Sequence, residues 1–241
     1  MTPRAPGLAL VLTLSAALSG GPADAQTNTP EARKTETPAA PSAAPSTSAA
    51  PTPEASPKTA HVEGFRSAHF GMAEPDVRAA IAKDFPAAAG AIRESFNPVE
   101  RTRVLSIKSG DVLPEGGTAE VSYIFGYKSK TLIQVAVVWS KKSDDSLAPA
   151  TLLADGEGLR AYFLAEGFPP SQVAANVELP DGILLFRGRD ADGREVLLML
   201  RGAPTPDSNG KGKTFTPLAT ALIYVAKPGA PDTYKIPAGK F

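Results

Sequence analysis

A stretch without large apolar side chains, Gln26 to Ala60, limits which part of this chain can fold. It contains Pro, Ala, Ser and Thr with a few charged residues, and it has no aromatic residue, Val, Leu, Ile or Met. Such a segment cannot bury enough apolar surface to offset the entropy lost on ordering. Repeated Ala-Pro steps favour extended, semi-stiff conformations. We therefore predict a disordered linker over residues 26–60, either a tether across part of the cell envelope or a leader with no role of its own.

The first residues, Met1 to Ala25, have the three parts of a secretory signal peptide in the usual order. Arg4 supplies the positive charge, Leu8 to Leu18 is the apolar region, and Ala23 to Ala25 is a small-residue cleavage site. The apolar region is shorter than the roughly 20 residues that a membrane span needs. The alternative interpretation is a buried N-terminal helix. We predict cleavage near Gln26 and a periplasmic or secreted location, with no transmembrane segment after cleavage.

The remaining residues, His61 to Phe241, are numerous enough for one domain or two small repeated units with a core. The whole chain has 25 basic and 25 acidic residues, so no basic excess favours a nucleic-acid partner. It has no cysteine, which excludes disulfides, thiol nucleophiles and cysteine-bound metals. Packing must therefore stabilise the fold without covalent cross-links.

The first folding signal is a helix pattern that ends at Pro86. Glu74 and Asp76 fall in its first turn, where negative charge suits the helix dipole, and Pro75 is tolerated there. Residues that recur on a 3.6-residue period form a stripe along one side of this helix, and all of them except one aspartate are apolar. Its members are Val77, Ala80, Ile81, Asp84 and Phe85.

The start of this helix resembles the opening of small exported envelope proteins in the SmpA/OmlA and β-lactamase-inhibitor-like group. The matching residues are Phe70, Gly71, Met72, Glu74 and Val77. The resemblance implies helices packed against one face of an antiparallel sheet, sometimes with the whole unit duplicated. Two features depart from it. Ala73 stands where that group often has a Ser or Thr cap, and the absence of cysteine excludes the lipid attachment of the SmpA/OmlA lipoproteins.

Alternation of apolar and polar residues predicts a β-hairpin in the first half of the domain. Its strands are Glu120 to Gly126 and Thr131 to Ser140, and the short polar turn Tyr127 to Lys130 joins them. Another strand is predicted before it, at Arg103 to Ser109.

The second half repeats this order. A second helix is predicted over Thr151 to Glu166, although Gly156 and Gly158 weaken it and it could begin near Asp155. The strands that follow are predicted at Gly182 to Arg189, Arg194 to Gly202 and Pro217 to Val225.

The order of these elements predicts an α+β fold. A helix followed by three strands occurs twice, so we expect two tandem α-β-β-β units, with halves of about 61–147 and 148–241. Strands in sequential hairpins indicate an antiparallel sheet, with both helices packed on one face. The second hairpin is apolar on both faces, so it is either central and covered on both sides or a docking surface.

No residues stand out with the spacing of a catalytic, metal or cofactor site. The only histidines, His61 and His69, have no further ligands at metal-site spacing. Asp190 to Gly193 begins like a calcium loop, but Arg201 stands where that loop needs its last Glu, and a tight turn explains these residues. Gly212 to Thr214 lacks the upstream glycine and the following helix of a phosphate-binding loop. We therefore assign no catalytic, metal or cofactor-binding residue and expect no cofactor.

The predicted partner-binding residues lie on the first hairpin. Trp139 ends an apolar strand face, and tryptophans are enriched at binding hot spots, although a core position is the alternative. Tyr127, Lys128 and Lys130 form the turn at the other end of the hairpin and complete the predicted site.

Three functions fit this sequence. The first is a non-catalytic protein-binding module of the cell envelope, which docks an envelope protein on an exposed sheet face. The second is a binder of a small apolar or lipid-like ligand in a cavity between sheet and helices. The third is a hydrolase that uses two carboxylates, which need only be close in space.

Overall fold

The computed structural model describes residues 58–206, 213–236 and 239. The predicted signal peptide and residues 26–57 of the predicted linker lie outside the described residues. The helices are α1 (Glu74–Asp84) and α2 (Pro149–Leu164). The strands are β1 (Gly64–Phe65), β2 (Ala68–His69), β3 (Arg93–Asn97), β4 (Thr102–Ser109), β5 (Ala119–Phe125), β6 (Leu132–Ser140), β7 (Val173–Leu179), β8 (Gly182–Arg189), β9 (Glu195–Pro206) and β10 (Lys213–Val225). Among the described residues, no helix is both long and apolar enough to cross a membrane.

The larger sheet has eight antiparallel strands in the order β3-β4-β5-β6-β10-β9-β8-β7. β1 and β2 pair separately as a small hairpin. The last strands of the two halves, β6 and β10, pair with each other at the centre of the sheet, where Val137 lies opposite Leu222. The predicted α+β class, with an antiparallel sheet and two helices packed on it, is confirmed.

Each helix is followed by four strands of this sheet, one more than the sequence patterns indicated. The additional strands, β3 and β7, are the two edges of the sheet. β3 is mostly exposed, and β7 has no fully buried residue. Asn176 in β7 also has a positive φ of 55°, which interrupts the regular alternation. Edge strands bury little on either face, so they leave no clear apolar pattern in the sequence.

α1 forms as the stripe predicted. Val77, Ala80 and Ile81 are buried, and Phe85 directly after the helix is buried as well. Asp84, the polar member of the stripe, accepts hydrogen bonds from the backbone N–H and the hydroxyl of Ser67, both at 2.8 Å. Asp84 therefore stands in the apolar stripe because its carboxylate binds the loop at Ser67, and it does not contribute to the core.

α2 begins at Pro149, so its glycines do not delay its start. Gly156 is buried, and a Cβ built on it would lie 2.7 Å from Cδ1 of Leu185 in β8. Its missing side chain lets the helix lie close to the sheet. Thr220 of β10 fixes this contact by donating a 2.7 Å hydrogen bond to the carbonyl of Leu152.

Both helices share one core with the same face of the sheet. Val77 and Ile81 of α1 and Leu152 and Phe163 of α2 belong to a single buried cluster with alternate strand residues. Within it runs a row of aromatic rings whose neighbouring centroids are 5.5–6.4 Å apart. We call it the aromatic row, and its order is Phe85, Phe65, Tyr224, Phe163, Phe186 and Phe168.

The second hairpin is apolar on both faces because both faces are buried. Leu198 and Leu200 of β9 lie in the helix-side core, whereas Leu197 and Met199 form a second cluster with Leu184 on the opposite face. These side chains are at most 8 % exposed. The centre of this face therefore does not offer the open docking surface that was the alternative.

Residues 58–62, which we call the N-terminal strap, pack on the second half of the domain. The backbone N–H of Ala60 donates to the carbonyl of Gly167 at 3.3 Å. The backbone N–H of Val62 donates to the buried carboxylate of Asp190 at 2.9 Å. The end of the predicted linker, residues 58–60, thus belongs to the folded part. Asp190 also forms the predicted tight turn by accepting from the backbone of Arg194 at 2.9 Å.

Candidate functional site

Trp139 does not reach the surface. Its position on β6 points the indole into the helix-side core, opposite Thr220, and its side chain is 0 % exposed. A partner cannot touch a side chain that has no exposed area, so the predicted hot spot at Trp139 is corrected to a core position. The same burial leaves its Nε1 without a hydrogen-bond partner among the described residues.

The turn between β5 and β6 is bound to the C-terminal segment. The Asp232 carboxylate accepts hydrogen bonds from the backbone N–H groups of Lys128 and Ser129, at 3.0 and 2.8 Å. Tyr127 meets Tyr234 edge to face at 5.5 Å. The ammonium of Lys130 lies 5.2 Å from the Tyr127 ring centroid. These contacts give the turn a structural role, and its predicted role in partner binding stays a prediction.

Three of the exposed large apolar side chains lie on the outer side of α2; others, among them Phe96 and Val99, lie elsewhere. Leu153, Tyr162 and Leu164 are 45 %, 55 % and 51 % exposed. Leu153 and Leu164 are about three turns apart on one side of the helix, because eleven residues separate them. Small exposed residues lie between these leucines and Tyr162: Ala154, Gly158, Ala161 and Ala165. We call this surface the α2 outer face.

Charge on the α2 outer face is confined to one self-contained pair. Arg160 donates to the Glu157 carboxylate at 2.6 Å, three residues away on the same helix. A surface helix normally presents a charged or polar side to water. α2 is apolar on its buried side and largely apolar on its exposed side, which is the arrangement of a helix that meets a second surface.

A cavity of about 100 Å³ lies beside the end of α2. It is bounded by the helix, the sheet and the N-terminal strap. Its lining includes four aromatic side chains and one carboxylate: Tyr162, Phe163, Phe168, Tyr224 and Glu166. Residues 60–62 of the strap and Val196 of β9 complete it.

The ammonium group of Lys58 lies next to two of the side chains that line this cavity, Glu166 and Tyr162. Lys58 forms an ion pair with Glu166, and its Nζ lies 6.0 Å from the centroid of the Tyr162 ring. The hydrogen bond to Glu166 raises the pKa of Lys58. Partial burial, together with the nearby Glu166 carboxylate, raises the pKa of Tyr162. Burial raises the pKa of Tyr224 as well, so both phenols stay protonated and can donate at neutral pH.

Two carboxyl groups with a raised pKa lie outside this cavity. Burial raises the pKa of Glu100, next to the β3–β4 turn, and that of Asp155, on α2 beside Gly116. Neither lines the cavity. Among the described residues, no group of three His, Asp or Glu side chains is placed to hold a metal ion.

Comparisons with protein-family models, with curated proteins and with solved structures found no significant match to this chain.

The sequence contained an unused signal for the α2 outer face. Leu152–Leu153 and Phe163–Leu164 are adjacent apolar pairs, and neighbouring residues on a helix point about 100° apart. One member of each pair must therefore turn away from the core. The cavity had no such signal, because its walls come from the strap, α2, β9 and β10, which are distant in sequence.

Proposed function

We propose that this chain is an exported, non-catalytic, protein-binding module of the cell envelope, and that the α2 outer face is where it docks its partner. The observation that carries this proposal is the exposure of Leu153, Tyr162 and Leu164 on a helix whose outer side has a single charge pair. Glu157 and Arg160 lie between the two leucines, and they neutralise each other. Exposed apolar side chains grouped on one element are typical of an interaction site. Export and location rest on the signal-peptide pattern of residues 1–25.

The shape of the α2 outer face favours an apolar helix of another envelope protein as the occupant. Ala154, Gly158 and Ala161 are small and exposed, and they lie between the two leucines and Tyr162 around the helix. Side chains this small let a second helix backbone approach closely. Full burial of a leucine side chain contributes about 1.5–3 kcal/mol, so two half-exposed leucines offer a partner roughly 1 kcal/mol each.

The site is supported by a rigid scaffold. α2 packs on β8, β9 and β10, and Leu152, Gly156 and Phe163 anchor its inner side. A docking surface held in one conformation loses little entropy when the partner binds. This placement agrees with a binding module better than with a lid or a mobile loop.

The test uses the full chain as bait in cell-envelope extract, beside Leu153→Glu and Leu164→Glu. Leu218→Glu is the matched control, because Leu218 is an exposed leucine that lies on β10 and not on the helix. A retained partner is identified, purified and titrated directly against each variant. We expect both α2 variants to weaken its binding at least tenfold, since a buried unpaired carboxylate replaces an apolar contact.

Equal binding by wild type and both α2 variants would place the docking surface elsewhere. Loss of binding in Leu218→Glu as well would point to a general effect on folding, which thermal unfolding of each variant detects. Sedimentation of the isolated chain shows whether the occupant is instead a second copy.

The alternative function, a binder of a small apolar or lipid-like ligand, is supported only in part. The cavity beside α2 lies between sheet and helix, but its volume of about 100 Å³ is well below the roughly 300–1,000 Å³ of pockets for larger ligands. It suits a small head group rather than an acyl chain. The carboxylate hydrolase lacks a comparable argument, because neither Glu100 nor Asp155, the carboxyl groups whose pKa burial raises, lines the cavity. Membership of the SmpA/OmlA and β-lactamase-inhibitor-like group stays a prediction.

A further inference from the structure

We propose that the cavity beside α2 is a binding site for an organic ammonium group, and that the side chain of Lys58 is its internal competitor. This inference does not depend on the docking function proposed above, although Tyr162 borders both surfaces. It rests on the walls of the cavity, on the Glu166 carboxylate and on the Lys58 ammonium that pairs with this carboxylate.

The walls of the cavity provide aromatic surfaces on several sides. Tyr162 and Phe163 meet edge to face at 5.1 Å, and Phe163 and Tyr224 do so at 6.4 Å, so their rings point in different directions. Phe168 adds a fourth ring to the lining. A cation near an aromatic ring is attracted by the negative face of the ring, and several rings around one space recognise ammonium groups.

The polar groups of the cavity select a cation over an anion. Glu166 contributes the one carboxylate of the lining, and its side chain is only 21 % exposed. A half-buried carboxylate attracts a cation more strongly than an exposed one does, because less water screens it. Tyr224 also lines the cavity, and a phenol oxygen can accept from an N–H donor. An anionic ligand would be repelled by both the carboxylate and the ring faces.

The size of the cavity fits one substituted ammonium group. A volume of about 100 Å³ is well below the roughly 300–1,000 Å³ of pockets for larger ligands. It is enough for a methylated ammonium head or the end of a lysine side chain.

Lys58 shows that an ammonium is favourable at this place. Its Nζ is paired with Glu166 and lies over Tyr162. The strap itself is fixed by the hydrogen bonds of Ala60 and Val62, so the Lys58 side chain can leave without moving the backbone. Its side chain is 60 % exposed, so it is a weak competitor that a ligand can displace.

The probe is choline, titrated into the full chain while backbone amide signals are followed by two-dimensional NMR. The signals of Val62, Gly167 and Val196 report on the cavity walls. We expect saturable shifts with a dissociation constant on the order of 1–10 mM, as for a small ligand held by a few contacts. Lys58→Ala is expected to bind choline about two- to fivefold more tightly, because it removes the competitor.

Three controls test the place of binding, the role of the carboxylate and the role of the ligand's charge. Lys130→Ala removes another lysine that lies over a tyrosine, Tyr127, and is expected to leave choline binding unchanged. Glu166→Gln in the Lys58→Ala background is expected to weaken binding at least fivefold. The uncharged isostere 3,3-dimethylbutan-1-ol, which has the shape of choline without its charge, is expected to bind at least fivefold more weakly than choline.

The outcomes are distinct from those of the docking test, which uses other variants and another readout. Equal binding of choline and its uncharged isostere, or no saturable shift in Lys58→Ala at about ten times the expected constant, would overturn the proposal. A parallel titration with Nα-acetyl-lysine amide separates two sources of the ammonium. Tighter binding of this compound indicates a lysine side chain of a peptide, and tighter binding of choline indicates a quaternary head group.

Discussion

The same substitution, glycine to alanine, is expected to change the stability of the protein differently at the two glycines of α2. Gly156→Ala and Gly158→Ala each replace a glycine inside a helix, where alanine is favoured by about 1 kcal/mol. Gly158 is exposed, and a Cβ built on it meets no atom within 4 Å. Gly158→Ala is therefore expected to raise the free energy of unfolding by about 1 kcal/mol.

Gly156→Ala adds the same methyl group to a packed interface. Its Cβ would lie 2.7 Å from Cδ1 of Leu185 and 3.9 Å from both Cδ1 of Leu200 and Cγ2 of Thr220. Leu185 is buried and must move, and such overpacking costs roughly 1–3 kcal/mol. After the helix gain of about 1 kcal/mol, the net effect ranges from neutral to about 2 kcal/mol of destabilisation.

Urea unfolding of both variants and wild type, followed by circular dichroism, measures the difference directly. Gly156→Ala is expected to be about 1–3 kcal/mol less stable than Gly158→Ala, with the same dependence on urea concentration. If both substitutions stabilise the protein equally, α2 does not lie as close to β8 as described, and the reasoning fails.

Three further predictions concern buried polar groups. Asp190→Ala removes the acceptor of three backbone N–H groups. We expect it to lower the free energy of unfolding in urea by about 2–3 kcal/mol and to speed amide exchange at Val62. Unchanged exchange at Val62 would refute the anchoring of the strap. Tyr123→Phe removes a buried hydroxyl that has no partner among the described residues, and is expected to change stability by less than about 1 kcal/mol, whereas a large loss would reveal a partner. Burial raises the pKa of Asp155, so the folded state holds this proton more tightly than the unfolded state. The contribution of Asp155 to stability therefore falls as pH rises from its ordinary pKa to the raised value, and Asp155→Asn should flatten this part of the pH profile of unfolding. An unchanged pH profile of unfolding in Asp155→Asn would contradict this prediction.

Two kinds of element were predicted well: β8, a continuous apolar run that is buried on both faces, and elements with one buried and one exposed face. Val121, Tyr123, Val135 and Val137 alternate with more exposed neighbours, because β5 and β6 pack on the helices with one side only. The stripe of α1 was readable for the same reason. A one-sided environment leaves a period in the sequence, and that period identifies the element.

The elements that the sequence missed lack this asymmetry or depend on distant contacts. β3 and β7 lie at the edges and have no buried face to enforce alternation. Gly156 weakens a helix taken alone, and only the approach of Leu185 explains why a glycine stands there. Trp139 could lie in the core or on the surface, because an apolar strand face does not show which layer will cover it. The proposed ammonium site is formed by four elements that are distant in sequence, so no short sequence motif can identify it.

The central pairing of β6 with β10 has a consequence for the order in which the molecule is completed. A chain synthesised from its N-terminus produces α1 and β3 to β6 first, and the open edge of β6 then has no neighbour until the last strand, β10, is available. The strap must wait as well, because its anchor Asp190 lies in the later half. Pairing between residues so distant along the chain is slow, and an unpaired strand edge is prone to aggregation during the delay. Chaperone protection during synthesis is therefore most valuable until Val225 has emerged.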